Sequence, residues 1–336
     1  MKAIGFRRAL PIDEPMSLEE LDVPTPQPQS RDLLVRVSAV SVNPVDTKVR
    51  RNMPPPEGEV KVLGWDAVGT VEAVGAGVLS FKPGDRVYYA GSLDRAGANS
   101  ELHLVDERIA AIAPEALDDA AVAALPLTAI TAWELLFDRF SVPKGGGAGK
   151  SILIVGGAGG VGSILIQLAR QLTGLTVIAT ASRQETRDWC LSLGAHAVID
   201  HSQPLSQALK STGIESVDYV AALTESARHF EELIECLRPQ GALGMIDDPG
   251  PVDIMKLKRK SLSFHWEFMF TRPLFGTEDM DQQGRLLAEI AALVDSGHVK
   301  TTLGAHFGRI DAANLRRAHA AIESGRTRGK IVLQGF

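Results

Sequence analysis

Cysteine is nearly absent from the chain, with only Cys190 and Cys236 among 336 residues. Two cysteines cannot form a disulfide framework or a cysteine-rich zinc site, and a reducing compartment is the simplest interpretation. Long apolar runs are also missing, because no stretch approaches the 18 or so uninterrupted apolar residues of a membrane span. The N-terminal residues show no apolar core of signal-peptide length. The sequence therefore predicts a soluble cytoplasmic protein.

A surplus of positive charge is missing as well. Lys plus Arg number 35 against 41 Asp plus Glu, which gives a net charge of −6. A nucleic-acid-binding protein normally has a basic surplus, so this class is disfavoured. Aromatic residues are scarce at 5%, whereas glycine is abundant at 32 residues. With 45% hydrophobic and 23% charged residues, the composition is that of a globular protein rather than a disordered one. The length favours two domains.

The pattern of the chain changes near residue 125. Before this point, short β-like segments alternate with Gly/Pro turns, as in Lys2 to Phe6, Leu33 to Val42, Ala67 to Val74 and Arg86 to Ala90. Short strands at such spacing predict an all-β barrel or sandwich.

From residue 126 onward, buried strands alternate with helices. A helix is predicted from Leu127 to Phe140. The predicted strands are 151–155, 175–179, 197–200, 217–221 and 242–246, and the predicted helices between them are 161–172, 185–193 and 226–237. Such a repeated βα pattern predicts a parallel, doubly wound sheet of the Rossmann type. Two further helices, 278–295 and 314–323, and a last strand, 330–334, complete the chain.

A glycine-rich turn follows the first of these buried strands. The pattern G-x-G-x-x-G lies at Gly157, Gly159 and Gly162, between an apolar strand and a helix with an apolar stripe. In this context the glycines allow a tight turn, close approach of a pyrophosphate to the backbone, and close packing of helix and strand. The alternative is a tight βα turn without a ligand. The residues assigned to cofactor binding are Gly157, Gly159, Gly160, Val161 and Gly162.

The end of the next strand predicts which dinucleotide binds. An NAD site needs an Asp or Glu there for the ribose 2′-hydroxyl, but this chain has Thr180-Ala181-Ser182-Arg183. Ser182 and Arg183 can bind a 2′-phosphate instead, which favours NADPH as the cofactor. The alternative for Arg183 is an ordinary solvated surface arginine.

Several segments together resemble the medium-chain dehydrogenase/reductase superfamily, over nearly the whole chain. They are Ser41 to Lys48 (SVNPVDTK), Leu63 to Val71 (LGWDAVGTV), Lys82 to Val87 (KPGDRV), Leu125 to Ala129 (LPLTA), the glycine motif, and Ser261 to Phe270 (SLSFHWEFMF). The resemblance is to the zinc-type alcohol dehydrogenase-like branch, next to the NADPH:quinone oxidoreductases. It implies a β-rich GroES-like catalytic domain from residues 1–125 and 271–336, and a Rossmann nucleotide-binding domain from residues 126–270. It also implies NADPH-dependent hydride transfer to a small molecule and a homodimer.

The zinc ligands of the zinc-dependent members do not match this sequence. In those members, a cysteine stands in the segment that matches 41–47, and a histidine stands in a G-H-E run. Here the first position aligns approximately with Asn43, and the run is Gly64-Trp65-Asp66. Indole is not a zinc ligand, and no cysteine precedes Cys190. We therefore expect no metal site.

The resemblance implies roles for several other residues. By position, Asn43 and Thr128 are expected beside the nicotinamide. Quinone reductases of this family often have a tyrosine where this chain has Lys48. Lys48 is therefore a candidate donor to the substrate oxygen, with a solvated lysine as the alternative. Asp46 is either an acid–base group or a hydrogen-bond acceptor, and the acceptor role is favoured.

Two tryptophans are candidates for the walls of the substrate pocket. Trp65 is either a core aromatic of the barrel or a pocket wall. Trp266, in the segment that resembles the last strand of the nucleotide domain, is a candidate for the pocket or a dimer interface, with ordinary burial as the alternative.

Three functions follow as hypotheses. The leading one is an NADPH-dependent, zinc-independent reductase of quinones or α,β-unsaturated carbonyls. The second is a zinc-dependent alcohol or carbonyl dehydrogenase. The third, from another class, is a non-catalytic NADPH-binding protein, which would keep the glycine turn but show no turnover.

Overall fold

A computed structural model describes all 336 residues of the chain. The chain divides into two compact units. Unit 1 contains Met1–Ile130, Phe270–Gly297 and Thr301–Phe336, and unit 2 contains Thr131–Met269 and His298–Lys300. The boundaries drawn from the sequence lie at 125/126 and 270/271.

The strands and helices are defined here in chain order. The strands are β1 (Lys2–Phe6), β2 (Glu19–Asp22), β3 (Asp32–Val42), β4 (Lys61–Val62), β5 (Ala67–Val74), β6 (Arg86–Tyr89), β7 (Leu102–Asp106), β8 (Ala110–Ile112), β9 (Ser151–Val155), β10 (Thr176–Thr180), β11 (Ala197–Ile199), β12 (Val217–Ala222), β13 (Leu237–Met245), β14 (Ser263–Trp266), β15 (Leu303–His306) and β16 (Lys330–Gln334). The helices are α1 (Pro44–Asn52), α2 (Asp119–Ala123), α3 (Pro126–Trp133), α4 (Gly160–Leu172), α5 (Gln184–Ser192), α6 (Leu205–Lys210), α7 (Ser226–Cys236), α8 (Thr271–Phe275), α9 (Gln282–Asp295) and α10 (Ala312–Glu323). Three 3-10 turns and one π-helical turn complete the set: Pro15–Ser17, Glu107–Ile109, Ile254–Lys260 and, as the π turn, Glu134–Arg139.

Unit 1 is built around a seven-stranded, mainly antiparallel sheet. Its order is β15-β16-β3-β5-β6-β8, and β7 also pairs with β3, while β2, β1 and β4 form a smaller sheet. The long strand β3 has three partners because β7 pairs with its first half and β16 with its last residues, while β5 pairs along most of its length with two register shifts. Gly69 of β5 passes so close to β3 that a Cβ there would lie 2.1 Å from the carbonyl oxygen of Arg36. The prediction of a β-rich first domain is confirmed.

Unit 2 contains a six-stranded, fully parallel sheet. Its order is β11-β10-β9-β12-β13-β14, which reads 3-2-1-4-5-6 in chain order. The central strands are continuous apolar runs because both faces are covered by helices, and Leu153, Val220 and Leu243 are completely buried among them. The strand order reverses at β9, and ligands of such sheets bind at the carboxyl ends of the strands at this reversal. The predicted Rossmann architecture is confirmed.

Two predicted elements differ from the structure. The helix predicted from Leu127 to Phe140 is α-helical only to Trp133 and continues as the π-helical turn. The segment from Ser261 to Phe270 contributes only the four residues of β14. Ser261 has a left-handed backbone (φ 51°), which is incompatible with a strand, and the chain turns toward α8 after Trp266.

The helical stretch Asp119–Arg139 is long and apolar enough to cross a membrane by composition alone. However, 94% of its most apolar window is buried inside the protein. A buried apolar helix is what the core of a globular protein requires, so this stretch is read as a core helix.

Candidate functional site

The glycine turn lies between β9 and α4, at the carboxyl edge of the parallel sheet. A Cβ on Gly157 would lie 2.7 Å from the Cβ of Ala179, and a Cβ on Gly162 would lie 2.4 Å from the carbonyl oxygen of Gly156. These two glycines are therefore required by packing. At Gly159, by contrast, the only atom near a Cβ would be the oxygen of Gly156, at 3.4 Å. The turn is therefore tightly packed against the protein at Gly157 and Gly162. It has open space at Gly159, the residue directly before the 13-residue helix α4. This arrangement fits a bound pyrophosphate.

The end of β10 presents Ser182 and Arg183 at the same edge of the sheet. Both residues are exposed, and no acidic residue lies between Thr176 and Arg183. Arg187, one turn into α5, donates from its guanidinium to the carbonyl oxygen of Val198 at 2.9 Å. The sequence reasoning missed this second cation, whose only signal was its spacing of four residues from Arg183. The local charge at the end of β10 fits a 2′-phosphate.

A buried polar cluster in unit 1 gathers around the carboxylate of Asp66. Its Oδ2 accepts hydrogen bonds at 2.8 Å from the Ser41 hydroxyl, from Asn43 Nδ2 and from Lys330 Nζ. Its Oδ1 accepts from the backbone N–H of Leu127 at 2.7 Å. Lys330 also donates to Asn43 Oδ1. The side chains of Asp66 and Lys330 are 0% and 3% exposed, so this is an ion pair shielded from water.

Asp46 accepts two backbone hydrogen bonds in the same region. Its Oδ2 accepts from the N–H of Asn43 at 2.7 Å, and its Oδ1 accepts from the N–H of Gly64 at 3.0 Å. Asn43 and Asp46 thereby form a capping box at the start of α1. Burial raises the pKa of Asp46 to about 7, against the opposing effect of these N–H bonds and of Lys330. The contacts of Asp46 are those of an acceptor; an acid–base role stays a prediction.

Of the predicted catalytic residues, the structure brings Asn43 and Asp46 into direct contact. Asn43 is buried, and its amide donates to both Asp66 and the carbonyl oxygen of Trp65. Both of its N–H donors are therefore used within the protein. Thr128 is buried next to Leu127, and its hydroxyl donates to the carbonyl oxygen of Leu125 at 3.1 Å. Lys48 is exposed on α1.

The two predicted pocket tryptophans lie in different units. Trp65 is 1% exposed in unit 1, where its ring nitrogen donates to the carbonyl oxygen of Ser92 at 3.0 Å and its ring packs edge-on against Phe270. These are contacts of a core aromatic. Trp266 is 52% exposed on β14 of unit 2. A role in substrate binding stays a prediction for both.

The residues near the predicted zinc-ligand positions do not fit a zinc ion. Zinc takes thiolate, imidazole or carboxylate ligands, whereas Asn43 and Trp65 offer an amide and an indole. Two carboxylates lie beside them: Asp66 is bonded to the ammonium of Lys330, and both oxygens of Asp46 accept backbone N–H bonds. A dication would have to compete with this buried cation, and no three His, Cys, Asp or Glu side chains are arranged to hold a metal ion. Lys330 was missed by the sequence reasoning, because a lysine at the start of an apolar strand carries no motif.

Comparison with known proteins assigns the family. Residues 29–112 match the alcohol dehydrogenase GroES-like domain, and residues 193–333 match a domain family described as zinc-binding dehydrogenase. A zinc-type alcohol dehydrogenase-like protein of Staphylococcus epidermidis is 40% identical over 99% of both chains.

Two solved structures support the same assignment. A candidate zinc-dependent alcohol dehydrogenase of Rhizobium etli is 54% identical, with a TM-score of 0.96 over 100% of this chain and 98% of that one. The quinone oxidoreductase of Escherichia coli, solved with NADPH, is 27% identical with a TM-score of 0.82, over 99% of this chain and 100% of its own. The chain belongs to the medium-chain dehydrogenase/reductase superfamily of oxidoreductases, in its zinc-type alcohol dehydrogenase-like branch near the quinone oxidoreductases.

Proposed function

We propose that the protein is an NADPH-dependent, zinc-independent reductase that delivers hydride to a quinone or an α,β-unsaturated carbonyl. The observation that carries the proposal is the buried ammonium of Lys330, bonded to Asp66 and Asn43 at the place where zinc-dependent members have their metal ligands. Quinones and enones are electron-poor at carbon, so they accept hydride without a Lewis acid. The NADPH complex of the similar Escherichia coli quinone oxidoreductase supports the same assignment.

Each part of the chain has a defined role in this proposal. When bound, NADPH supplies the hydride from C4 of its nicotinamide. The backbone at Gly159 and the N-terminus of α4 bind the pyrophosphate, and Ser182 and Arg183 bind the 2′-phosphate. In unit 1, the Asp66–Lys330 pair fixes the orientation of Asn43. Cytoplasmic location and a homodimer belong to the same proposal.

The choice of cofactor is tested by Arg183→Ala. We expect the dissociation constant of NADPH to rise by roughly 10- to 150-fold, because a lost charge-assisted contact costs about 1.5–3 kcal/mol. The affinity for NADH, which lacks the 2′-phosphate, should change little, and it serves as the internal control in the same fluorescence titration. Equal losses for the two cofactors would show that Arg183 does not read the phosphate.

The absence of a catalytic zinc is tested by metal removal. Prolonged treatment with a strong chelator should leave the reductase activity unchanged, and added zinc should not raise it, because Asp66 is paired with Lys330 and Asp46 accepts two backbone N–H bonds. The metal content is measured by mass spectrometry before and after treatment. One zinc per chain, with activity lost on its removal and restored on its return, would favour the alcohol dehydrogenase alternative.

The substrate class is tested with a panel of quinones, enones, aldehydes and alcohols, each assayed with NADPH and with NADH. The proposal expects turnover of quinones or enones with NADPH. Oxidation of alcohols would favour the dehydrogenase alternative. Cofactor binding without turnover of any member would favour a non-catalytic NADPH-binding protein.

A further inference from the structure

Unit 2 contains two buried carboxyl groups that contact each other. Glu134, the first residue of the π-helical turn, is 1% exposed, and Glu267, the residue after β14, is 3% exposed. Burial, and then the charge and hydrogen bond of Glu134, raise the pKa of Glu267 to about 9. Two carboxyl groups can share a hydrogen bond only if one of them is protonated. At neutral pH the pair therefore holds one proton in common.

The charges around the pair balance only while this proton is present. Arg139 donates from Nε to Glu267 Oε2 at 2.8 Å, and Glu267 Oε1 has no donor from any other residue. With one shared proton, the pair carries a charge of −1 and Arg139 a charge of +1. Loss of the proton leaves a net negative charge that burial keeps from being screened.

Other titratable groups near the pair do not compensate for this change. His265 lies on β14, two residues before Glu267, and burial together with Arg139 lowers its pKa, so it is neutral at neutral pH. After β13, Asp247 accepts a hydrogen bond from the N–H of Ser226 and is held by α7. The net charge of Glu134, Glu267 and Arg139 therefore depends on whether the two carboxyl groups hold their shared proton.

The pair lies at the carboxyl edge of the sheet, on the side opposite to the 2′-phosphate site. Ser182 and Arg183 follow β10, the glycine turn follows β9, and β12, β13 and β14 lie on the other side of β9. A dinucleotide bound across this edge with its adenosine at β10 extends its nicotinamide toward β12–β14. The N–H of Glu267 bonds to the carbonyl oxygen of Met245, the last residue of β13, at 2.9 Å. Glu267 thus lies at the nicotinamide end of the proposed cofactor site.

We propose that the Glu134–Glu267 pair couples a proton to the charge of the nicotinamide: it keeps the proton beside the reduced, neutral ring and releases it beside the oxidised, cationic ring. This inference rests on the proposed cofactor site. Reduction of an enone or quinone breaks the C4–H bond of NADPH, forms a C–H or O–H bond on the acceptor with the hydride, and adds one proton to the acceptor oxygen. The acceptor oxygen takes its proton from solvent, the pair releases one proton into solvent while NADP⁺ is bound, and the pair regains it when NADPH replaces NADP⁺, so each turnover consumes one proton overall. Glu134 and Glu267 are positioning residues for charge, not donors in contact with the substrate.

The test compares the dissociation constants of NADPH and NADP⁺ between pH 6 and pH 10 by direct titration. The 2′-phosphate is common to both cofactors, so its titration cancels in the ratio. We expect binding of NADP⁺ relative to NADPH to strengthen roughly tenfold as the pair loses its proton near pH 9, since the uncompensated negative charge then attracts the cationic ring and not the neutral one. Calorimetry of NADP⁺ binding at pH 8, in buffers of different ionisation enthalpy, should also show proton release.

Glu267→Gln is the matched variant, because it keeps the hydrogen bond and imitates the protonated carboxyl. It should bind both cofactors, and the ratio of their dissociation constants should no longer depend on pH. A change of this ratio near pH 9 that persists in Glu267→Gln would overturn the inference. A ratio that does not change with pH in the unmodified protein, together with no proton release, would also overturn it. Failure of the unmodified protein to bind either cofactor would instead overturn the proposed function. If the variant does not fold, the proton release of the unmodified protein still decides.

Discussion

Replacing Gly159 with valine is expected to abolish measurable NADPH binding while the protein stays folded. The backbone at Gly159 is extended, with φ −73° and ψ 178°, and a valine adopts this conformation readily. A Cβ there would meet no atom closer than 3.4 Å. The branched side chain therefore fills the space at the start of α4 that the pyrophosphate needs. Binding is measured by fluorescence titration and folding by circular dichroism.

Gly162→Val is the matched control within the same turn. A Cβ at this position would lie 2.4 Å from a backbone oxygen, so this variant should lose stability as well as binding. Loss of binding without loss of stability identifies a glycine that contacts the ligand, whereas loss of both identifies a glycine required for packing. Normal NADPH affinity in a folded Gly159→Val protein would show that this turn is not the cofactor site.

Replacing Lys330 with methionine is expected to lower the free energy of unfolding by about 3–5 kcal/mol, the range for removing one partner of a buried ion pair. The substitution leaves the carboxylate of Asp66, which is 0% exposed, without its counter-charge. Methionine keeps a similar length, so the loss reports charge rather than a cavity. The free energy is measured by urea denaturation at pH 7.

The double variant Asp66→Asn, Lys330→Met removes both charges and should recover most of the lost stability. The exposed Lys258→Met provides the surface control, for which a change within about 0.5 kcal/mol is expected. A loss for Lys330→Met no greater than that of Lys258→Met would show that the ammonium of Lys330 does not stabilise the cluster.

The parts of the structure with local signals could be predicted from the sequence. Apolar runs such as Ser151–Val155, and the helical spacing after the glycine turn, are properties of adjacent residues. They predicted the parallel sheet and placed the glycine turn at its carboxyl edge. The capping box of Asn43 and Asp46 was also visible in the sequence, since Asn43 precedes a proline and Asp46 follows three residues later, but the helix α1 was not predicted from it.

The polar clusters depend on contacts between distant residues. Asp66 and Lys330 are 264 positions apart, and neither lies in a pattern that points to the other. The same holds for Arg139 and Glu267, which are 128 positions apart. Such pairs arise only when the sheets bring their strands together, so sequence reasoning had no means to find them. The burial that shifts the pKa of Glu267 likewise depends on the complete fold.

Hydride transfer by the metal-free protein is the measurement that decides whether this chain is a zinc-independent reductase. NADPH that carries deuterium at both C4 positions is mixed with chelator-treated protein and an enone, and the product is analysed by mass spectrometry. We expect one deuterium at the β-carbon of the product, with one product formed for each NADPH oxidised and no measurable zinc. Label transfer that requires zinc, or NADPH binding without transfer to any enone or quinone, would contradict this expectation.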